Sequence, residues 1–381
     1  MTQTTQGGPY PQTPATDAVI NLGLGQPSPS LLPIEEVAAA AVAQLTAVDP
    51  LLLQYGRMPG YEGFLEALGR FLSEGYSHPV GAEELAVTGG TSLGLALVSQ
   101  VLAGAGDRVL CGDPTYFLAH GIFATHRLNV EGVPVDDEGL DVEALEKRLE
   151  EGPVAFVYCI PSFQNPRGVS LSAERARRLV ELAERHEFTI VADEPYNLLH
   201  FGPQPTCLMA YDEGRGRVLS LGSFSKILGP GLRLGWIHAA PPLRQRFLSH
   251  GTIRSGGCLN PLVARIVQGP LEDGTLVRHV THLRDVLGAR SSRLSKALDE
   301  AGLAHQRPQG GYFTWVDMGE GTDTAELLER AKADFGVGFC PGQRCAVDAD
   351  LRRFLRLSFA FYDEDELVSG VDRLTRAATG R

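Results

Sequence analysis

The sequence predicts an α/β protein with a largely parallel sheet between helices and a second, smaller α+β lobe. Short apolar runs alternate with helical patterns from residue 61 onward, and these runs are typical of strands in a sheet covered on both faces. A chain of 381 residues with 43% hydrophobic content also exceeds what a single core usually holds. Two lobes are therefore expected.

Each element follows from a local pattern. A loop rich in Gly and Pro (21–33) precedes an amphipathic helix, and helical spacing recurs in 61–75, 92–106 and 172–187. Strands are predicted in ELAVTGG, DRVLCG, VAFVYCI, FTIVADE, RVLSLGS and LRLGWIH. Beyond about residue 275, two long helical stretches precede the strands YFTWVDM and FLRLSFA, with a helix between those strands. We predict a flexible tail at 1–19, a large domain at 50–275, and a small domain formed by 20–49 and 276–381.

Composition argues against several classes of partner. A net charge of -12 disfavours nucleic acid and anionic membranes, and no apolar run approaches the roughly 20 residues of a membrane span. The first 18 residues resemble neither a signal peptide nor a transit peptide. Six scattered cysteines without a CxxC pair predict free thiols in a reducing cytoplasm, and we expect no metal site because no ligand motif accompanies them.

Lys226 is unusual among the four lysines of the chain. The other three lie among charges at helical spacing, whereas Lys226, in SFSKILGPGLRLGW, has serines, glycines and aliphatic residues as neighbours. Lysine forms Schiff bases, and its amine becomes useful near neutral pH when burial or a neighbouring cation lowers its pKa. With Arg233 seven residues later, the segment fits such a lysine, although in isolation an ordinary partly buried lysine is the more frequent explanation.

Glycine-rich and aromatic segments follow two of the predicted strands. VTGGTSLGL (87–95) runs from a strand through glycines into a helix, where backbone N–H groups and the hydroxyls of Thr91 and Ser92 can approach a phosphate. DPTYF follows the next strand and places Tyr116 where its ring can stack on a flat cofactor. Both motifs also occur as plain structure, so neither identifies a site alone.

Polar side chains end two further predicted strands. IPSFQNPRG places Asn165 after VAFVYC, at the edge where α/β sheets bind ligands. VADEPY places Asp193 at the end of a buried run, with Tyr196 three residues later. A carboxylate there needs a cationic or hydrogen-bonded partner, and a protonated pyridine nitrogen is one such partner.

Together these motifs make the chain resemble the pyridoxal-phosphate enzymes of the aspartate-aminotransferase superfamily (fold type I), nearest the class I and II aminotransferases similar to the aminoadipate and kynurenine enzymes. The resemblance covers about residues 20–377, with the motifs in family order: LGLGQP, LQYGRMPG, TGGTSLG, DPTY, PSFQNPRG, VADEPY, SFSKILGPGLRLGW, PQGGYF and LRLSFA. It implies a mostly parallel seven-stranded sheet between helices, pyridoxal 5'-phosphate as cofactor, and a homodimer with its active sites at the interface.

The resemblance also implies roles. Lys226 would hold the cofactor as an internal aldimine and shuttle the substrate's Cα proton, and Asp193 would pair with the pyridinium nitrogen. Asn165 and Tyr196 would hydrogen-bond the ring's phenolic oxygen, Tyr116 would stack on the ring, and Tyr55 would reach the phosphate from the neighbouring subunit. The expected phosphate cup consists of Gly90, Thr91, Ser92, Ser223, Ser225 and Arg233. The expected substrate-binding residues are Arg356, Asn165, Gly25 and Arg57.

Two of these assignments leave alternatives open. Arg356 would clamp the substrate α-carboxylate, but strand alternation puts Arg352 on the same face, and only the motif favours Arg356. Arg57 could meet an acidic side chain, or could be a surface or interface arginine. The chain also departs from the family pattern at Ser92, Leu93 and Cys345, and EGFLEAL lacks an arginine usual in relatives.

The favoured activity is transamination from an L-amino acid to a 2-oxo acid by a ping-pong mechanism. A lyase or cyclase of the β-elimination type on the same fold is the alternative, because these reactions share most of the site. A remote alternative is the effector domain of a pyridoxal-phosphate-binding transcriptional regulator, for which we would expect a DNA-binding segment ahead of the fold. We expect broad substrate specificity that includes glutamate or aminoadipate.

Overall fold

A computed structural model describes residues 19–380. The predicted tail at 1–19 lies almost wholly outside the described residues. The strands are β1 Ile20–Asn21, β2 Leu85–Thr88, β3 Arg108–Asp113, β4 Asn129–Asp136, β5 Gly139–Leu140, β6 Phe156–Cys159, β7 Thr189–Asp193, β8 Val218–Ser223, β9 Gly235–Ala239, β10 Ala304–His305, β11 Phe313–Asp317, β12 Val337–Gly338, β13 Cys340–Pro341 and β14 Phe354–Ser358. The α-helices are α1 Ile34–Thr46, α2 Glu62–Tyr76, α3 Thr91–Leu102, α4 Phe117–Thr125, α5 Val142–Leu149, α6 Ala173–Arg185, α7 Pro241–Leu248, α8 Gly251–Gly256, α9 Pro261–Glu272, α10 Thr275–Glu300, α11 Thr324–Phe335 and α12 Glu364–Thr379.

The large sheet has eight strands in the order β2-β9-β8-β7-β6-β3-β4-β5. Strands β8, β7, β6, β3 and β4 are parallel, whereas β9 runs antiparallel between β2 and β8. The sequence predicted seven strands. The additional one is the two-residue β5, which folds back on β4 through a short turn at the edge of the sheet.

The central strands are apolar because helices cover the sheet. Every residue of β6 and β8 is buried, and α3 and α6 pack against the sheet. Helix α6 shows how local sequence sets this layer: Ser172 caps its first turn by accepting a hydrogen bond from Arg175 N, and Leu179, Leu182 and Ala183 are buried on one face. The arginines and glutamates of α6 lie on the opposite face.

A second, antiparallel sheet of order β10-β11-β14-β13 lies in the C-terminal part of the chain, and β1 pairs in parallel with β12. The prediction of two helical stretches after residue 275 was wrong, because α10 is one uninterrupted helix of 26 residues. Gly288 lies inside this helix and does not interrupt it. The proposed domain boundaries stay a prediction: β1 pairs with the C-terminal part of the chain, whereas α1 packs on α9.

Within residues 19–380, no helix combines the length and the apolar character that crossing a bilayer requires. The parallel topology instead has a local consequence. Strands β3, β6, β7 and β8 all end at the same edge of the sheet, so the polar segments that follow them converge there.

Candidate active site

A cavity of about 340 Å³ lies at this edge, between the large sheet and the segments 21–26 and 339–356. It brings together most of the residues that the sequence singled out. Those that line it are Gly25, Thr91, Tyr116, Asn165, Asp193, Tyr196, Ser223, Ser225, Lys226 and Arg356.

Asp193, the last residue of β7, lies at the inner end of the cavity and is 3% exposed. Its Oδ2 accepts a hydrogen bond from the Tyr158 hydroxyl at 2.9 Å, while Oδ1 is buried without a partner. Burial raises the pKa of Asp193 to about 7, although Tyr158 and the Lys226 ammonium oppose that rise. An unpartnered carboxylate oxygen at this depth is costly unless a ligand supplies a hydrogen-bond donor.

Lys226 lies in the loop after β8, and its amine points into the same cavity. Nζ donates to Gly25 O at 2.6 Å and lies 5.4 Å from the centre of the Tyr312 ring and 6.0 Å from that of Tyr196. Burial and, to a smaller extent, the Arg356 guanidinium lower the pKa of Lys226 to about 8, although the Asp193 carboxylate opposes this fall. A substantial fraction of the amine is therefore neutral and nucleophilic near neutral pH.

Arg356 and Asn165 form a buried pair beside Lys226. Arg356 Nη1 donates to Asn165 Oδ1 and Nη2 donates to Gly23 O, both at 2.8 Å, and each of the two side chains is 2% exposed. The guanidinium carbon stacks 4.0 Å above the centre of the Phe313 ring. These contacts fix the guanidinium plane in the cavity, where it can meet a planar carboxylate.

The structure separates the two arginines that strand alternation left equivalent. Arg352 precedes β14 and is exposed, with an ion pair to Asp350 at 2.6 Å. Arg356 lies within β14, opposite Trp315 and Cys340 in the strand register. Only Arg356 of this pair reaches the cavity.

A cradle for an anion lies at the N-terminus of α3. Thr91 is the first residue of this helix, and Gly90 caps it with a φ of 87°, in the region that favours glycine. Arg233 Nη2 donates to Gly89 O at 3.2 Å and lies 3.1 Å from where a Cβ on Gly90 would stand. Ser223 Oγ donates to Ser225 Oγ at 2.9 Å nearby. Helix N–H groups, hydroxyls and a guanidinium thus converge.

Five predicted residues do not line the cavity of this single chain. Gly90 and Arg233 belong to the anion cradle at the N-terminus of α3, and the other three are exposed. Ser92 is exposed on α3, and Arg57 is exposed in the segment before α2. Tyr55 is 83% exposed and makes none of the cavity contacts. Tyr55 was expected to act on the neighbouring subunit's site, which one chain does not test.

Aromatic rings form the walls of the cavity. Tyr116 caps α4, and burial raises its pKa to about 12; burial also raises the pKa of Tyr196 well above its usual range. The Tyr196 ring lies 5.5 Å from Tyr312 and 5.8 Å from Phe313. Both hydroxyls therefore stay protonated and can donate hydrogen bonds.

Sequence reasoning missed several contributors. Tyr158 holds Asp193, Tyr312 donates from its hydroxyl to Lys226 O at 3.0 Å, and Phe313 supports Arg356. A signal existed for Tyr158, because a tyrosine within an otherwise apolar buried strand needs a hydrogen-bond partner. For Tyr312 and Phe313, the motif PQGGYF indicates the family but does not show that these aromatic side chains contact Lys226 and Arg356.

The residues fit pyridoxal phosphate. The unpartnered Asp193 Oδ1 matches a ring N–H, the half-buried Lys226 amine matches an aldehyde, and the cradle at Gly90 matches a phosphate. Arg356 is left for a second anion, such as a substrate carboxylate.

Comparison with known proteins gives concordant results. The model of the family "Aminotransferase class I and II" matches residues 17–374. Aromatic-amino-acid aminotransferase 1 of Thermococcus litoralis is 34% identical over 369 residues, which cover 94% of this chain and 88% of the relative. The solved structure of a multiple substrate aminotransferase from Thermococcus profundus has a TM-score of 0.89 and 33% identity, covering 96% of this chain and 92% of that chain. An α-aminoadipate aminotransferase from Thermus thermophilus, solved with N-(5'-phosphopyridoxyl)-L-leucine, has a TM-score of 0.86 and 31% identity. The match covers 96% of this chain and 93% of that chain.

Proposed function

The chain belongs to the family of class I and II aminotransferases, and we propose that its cavity residues carry out transamination in the roles given below. As a member of this family it is a pyridoxal-phosphate-dependent aminotransferase. The observation that carries the residue roles is the convergence of Lys226, Asp193 and Arg356 in one cavity, with Asp193 Oδ1 lacking a partner.

Pyridoxal phosphate, when bound, supplies an aldehyde that takes up amines and a ring that withdraws electrons from the substrate Cα. We propose that Asp193 Oδ1 accepts the ring N–H, which keeps that nitrogen protonated. Lys226 Nζ would hold the aldehyde carbon covalently between turnovers, with loss of the aldehyde oxygen as water, and would remove the Cα proton once a substrate amine has taken its place. A pKa near 8 suits an amine that must give up and take back a proton near neutral pH.

Arg356 holds the substrate α-carboxylate in this proposal. Its hydrogen bonds to Asn165 and Gly23 O and its stack on Phe313 fix the guanidinium before substrate arrives, so little side-chain entropy is lost on binding. Gly25 lines the cavity beside this ring, and a larger residue would crowd it, since a Cβ there would lie 3.2 Å from the Phe313 ring. Tyr196 and Asn165 would donate to the phenolic oxygen of the cofactor.

The donor leaves as a 2-oxo acid, and a second oxo acid recovers the amine in a ping-pong cycle. The matched family and the relatives described above are aminotransferases, which does not favour the β-elimination lyase alternative. Incubation of the loaded enzyme with an amino acid alone should convert the cofactor once and stop. Turnover should resume when 2-oxoglutarate or pyruvate is added. Sustained ammonia release without an oxo acid would contradict this activity.

We also propose a homodimer. No residue of α1 is buried, and a large apolar surface is exposed on α1 and the segment that follows it. Its members are Ile34, Val42, Leu45, Val48, Leu51, Leu53 and Tyr55. Pairing two chains through this surface would cover it and would bring Tyr55 toward the partner's site. The six free cysteines support a reducing cytoplasm as the location.

A further inference from the structure

The charges that line the cavity are unbalanced. Among the described residues of its wall there are four cations, Lys226, Lys332, Arg344 and Arg356, and one carboxylate, Asp193. The surplus is local, because the whole chain carries a net charge of -12. A cavity of one sign in an acidic protein attracts ligands of the opposite sign.

Part of this surplus is used by the proposed chemistry. Lys226 and Asp193 act on the cofactor, Arg356 takes the α-carboxylate, and the phosphate cradle has its own cation in Arg233. Arg344 and Lys332 remain without a role.

Arg344 lies in a short 3-10 turn, Gly342–Cys345, at the mouth of the cavity. Its guanidinium carbon stacks 4.5 Å from the centre of the Phe117 ring, and that of Arg356 lies 5.7 Å from the same centre. The two guanidinium carbons are therefore within about 10 Å of each other, the sum of these two distances. A separation within this limit allows one short dicarboxylic acid to reach both guanidinium groups, each of its carboxylates at ordinary ion-pair distance.

Neither outer cation is paired. Across residues 19–380, no carboxylate lies within salt-bridge distance of Arg344, whereas Arg148 and Arg352 each have such a partner. Lys332, in the last turn of α11, is exposed and likewise has no ion pair within the described part of the chain. Among the described residues, the contact found for the Arg344 guanidinium is its stack on Phe117, which leaves its N–H groups available.

We propose that Arg344 is a specificity-determining residue that binds the side-chain carboxylate of dicarboxylic amino acids and of the matching 2-oxo acids. Lys332 adds to the positive electrostatic potential of the cavity. The proposal rests on the proposed function, because it needs Arg356 to hold the α-carboxylate. It assigns to Arg344 the acidic-side-chain role that the sequence suggested for Arg57, because Arg344 lines the cavity of its own chain and Arg57 does not. A contribution of Arg57 to the partner's site would be additional.

Apolar residues at the mouth define what else can enter. Leu24, Leu118, Leu328 and Phe339 line the same space, so an uncharged side chain can pack there. Arg344 then sets a preference between isosteric acidic and neutral substrates and leaves apolar ones acceptable. The matched pair that isolates this preference is glutamate against glutamine, which differ only in the terminal group.

The test compares Arg344→Gln, Arg344→Lys and the control Arg352→Gln in the holoenzyme. For each, kcat/KM is measured with glutamate, glutamine and leucine, and the dissociation constant of glutarate, an unreactive dicarboxylate, is measured by calorimetry. In Arg344→Gln we expect the glutamate-to-glutamine ratio to fall and glutarate to bind more weakly, each by about tenfold or more, the size of a lost hydrogen-bonded charge contact. Arg344→Lys should recover part of both effects, and Arg352→Gln should behave as the parent.

Equal losses on glutamate, glutamine and leucine in Arg344→Gln would overturn the proposal, because they indicate a structural role. An unchanged glutarate affinity would also overturn it. The failure of the proposed function is distinct, since the parent enzyme would then convert its cofactor with none of the three donors.

Discussion

The inner end of the cavity and its mouth are built from different kinds of side chain. At the inner end, Asp193, Asn165 and Arg356 are each no more than 3% exposed. Asp193 accepts a buried hydrogen bond from Tyr158, and Asn165 accepts one from Arg356. At the mouth, Arg344 and Lys332 are exposed and unpaired with any described carboxylate. Burial shifts pKa values and fixes geometry, whereas exposure leaves charges free to select a ligand. The chemistry therefore depends on the inner end and the choice of substrate on the mouth.

The largest expected effect follows from Asp193→Asn at the inner end. The amide keeps the shape but cannot balance a protonated ring nitrogen, so we expect kcat to fall by roughly a hundredfold to a thousandfold, the loss typical of removing one preorganised electrostatic group. Steady-state kinetics with saturating cofactor measure this. A fall below tenfold would contradict the role given to Asp193.

The same residue predicts a pH dependence. In the cofactor-free protein the pKa of Asp193 is raised to about 7. Its protonated form cannot accept the ring N–H, so affinity for pyridoxal phosphate should fall as pH drops below about 7. The raised pKa also means that its contribution to stability is present at acid pH and is lost as pH rises through about 7. Asp193→Asn should flatten both profiles in fluorescence titrations and thermal unfolding of the cofactor-free protein.

The next effect separates two arginines of one segment. Arg356→Gln should lower kcat/KM for every amino acid by about a hundredfold, because a buried charge contact to the α-carboxylate is lost. Arg352→Gln, at an exposed ion pair, should stay within about twofold. Kinetics with leucine and glutamate test this, and equal losses in the two variants would contradict the assignment.

The smallest effect on activity concerns the exposed apolar surface that includes Leu53 and Tyr55. Leu53→Glu places a charge where Leu53 is 77% exposed in the single chain, and in a dimer that charge would be buried without a partner. Light scattering should show a monomer, and activity should fall by about tenfold as Tyr55 loses the partner's phosphate. Ala325→Glu, on α11, is the matched control. A dimer with parental activity in Leu53→Glu would argue against this interface.

Sequence reasoning reached the inner end because its residues follow strands. Glycines at 89–90, the proline-flanked Asn165 and the carboxylate ending FTIVAD are local signals, and parallel topology makes them converge. What it lacked was three-dimensional register. Strand alternation did not separate Arg352 from Arg356, and only the family motif favoured Arg356. The structure adds that β14 begins at Phe354, so Arg352 lies outside the strand.

The mouth was not predictable in the same way. Arg344 resembles any surface arginine in PGQRC, and its meaning depends on a ring from α4 that is more than 200 residues distant in sequence. For Tyr158 the sequence signalled the need for a hydrogen-bond partner but could not identify it, since that partner lies on the neighbouring strand. Contacts between elements, rather than patterns within them, carry this part of the site.

The central claim is that Lys226 is the amine that holds the cofactor. Borohydride reduction of the loaded enzyme, followed by digestion and mass spectrometry, should place the reduced cofactor on the peptide containing Lys226. Lys226→Ala should carry no covalent cofactor and should lose activity by several orders of magnitude. The exposed Lys296→Ala should behave as the parent. Cofactor attached to a different lysine, or an active and labelled Lys226→Ala variant, would contradict the account.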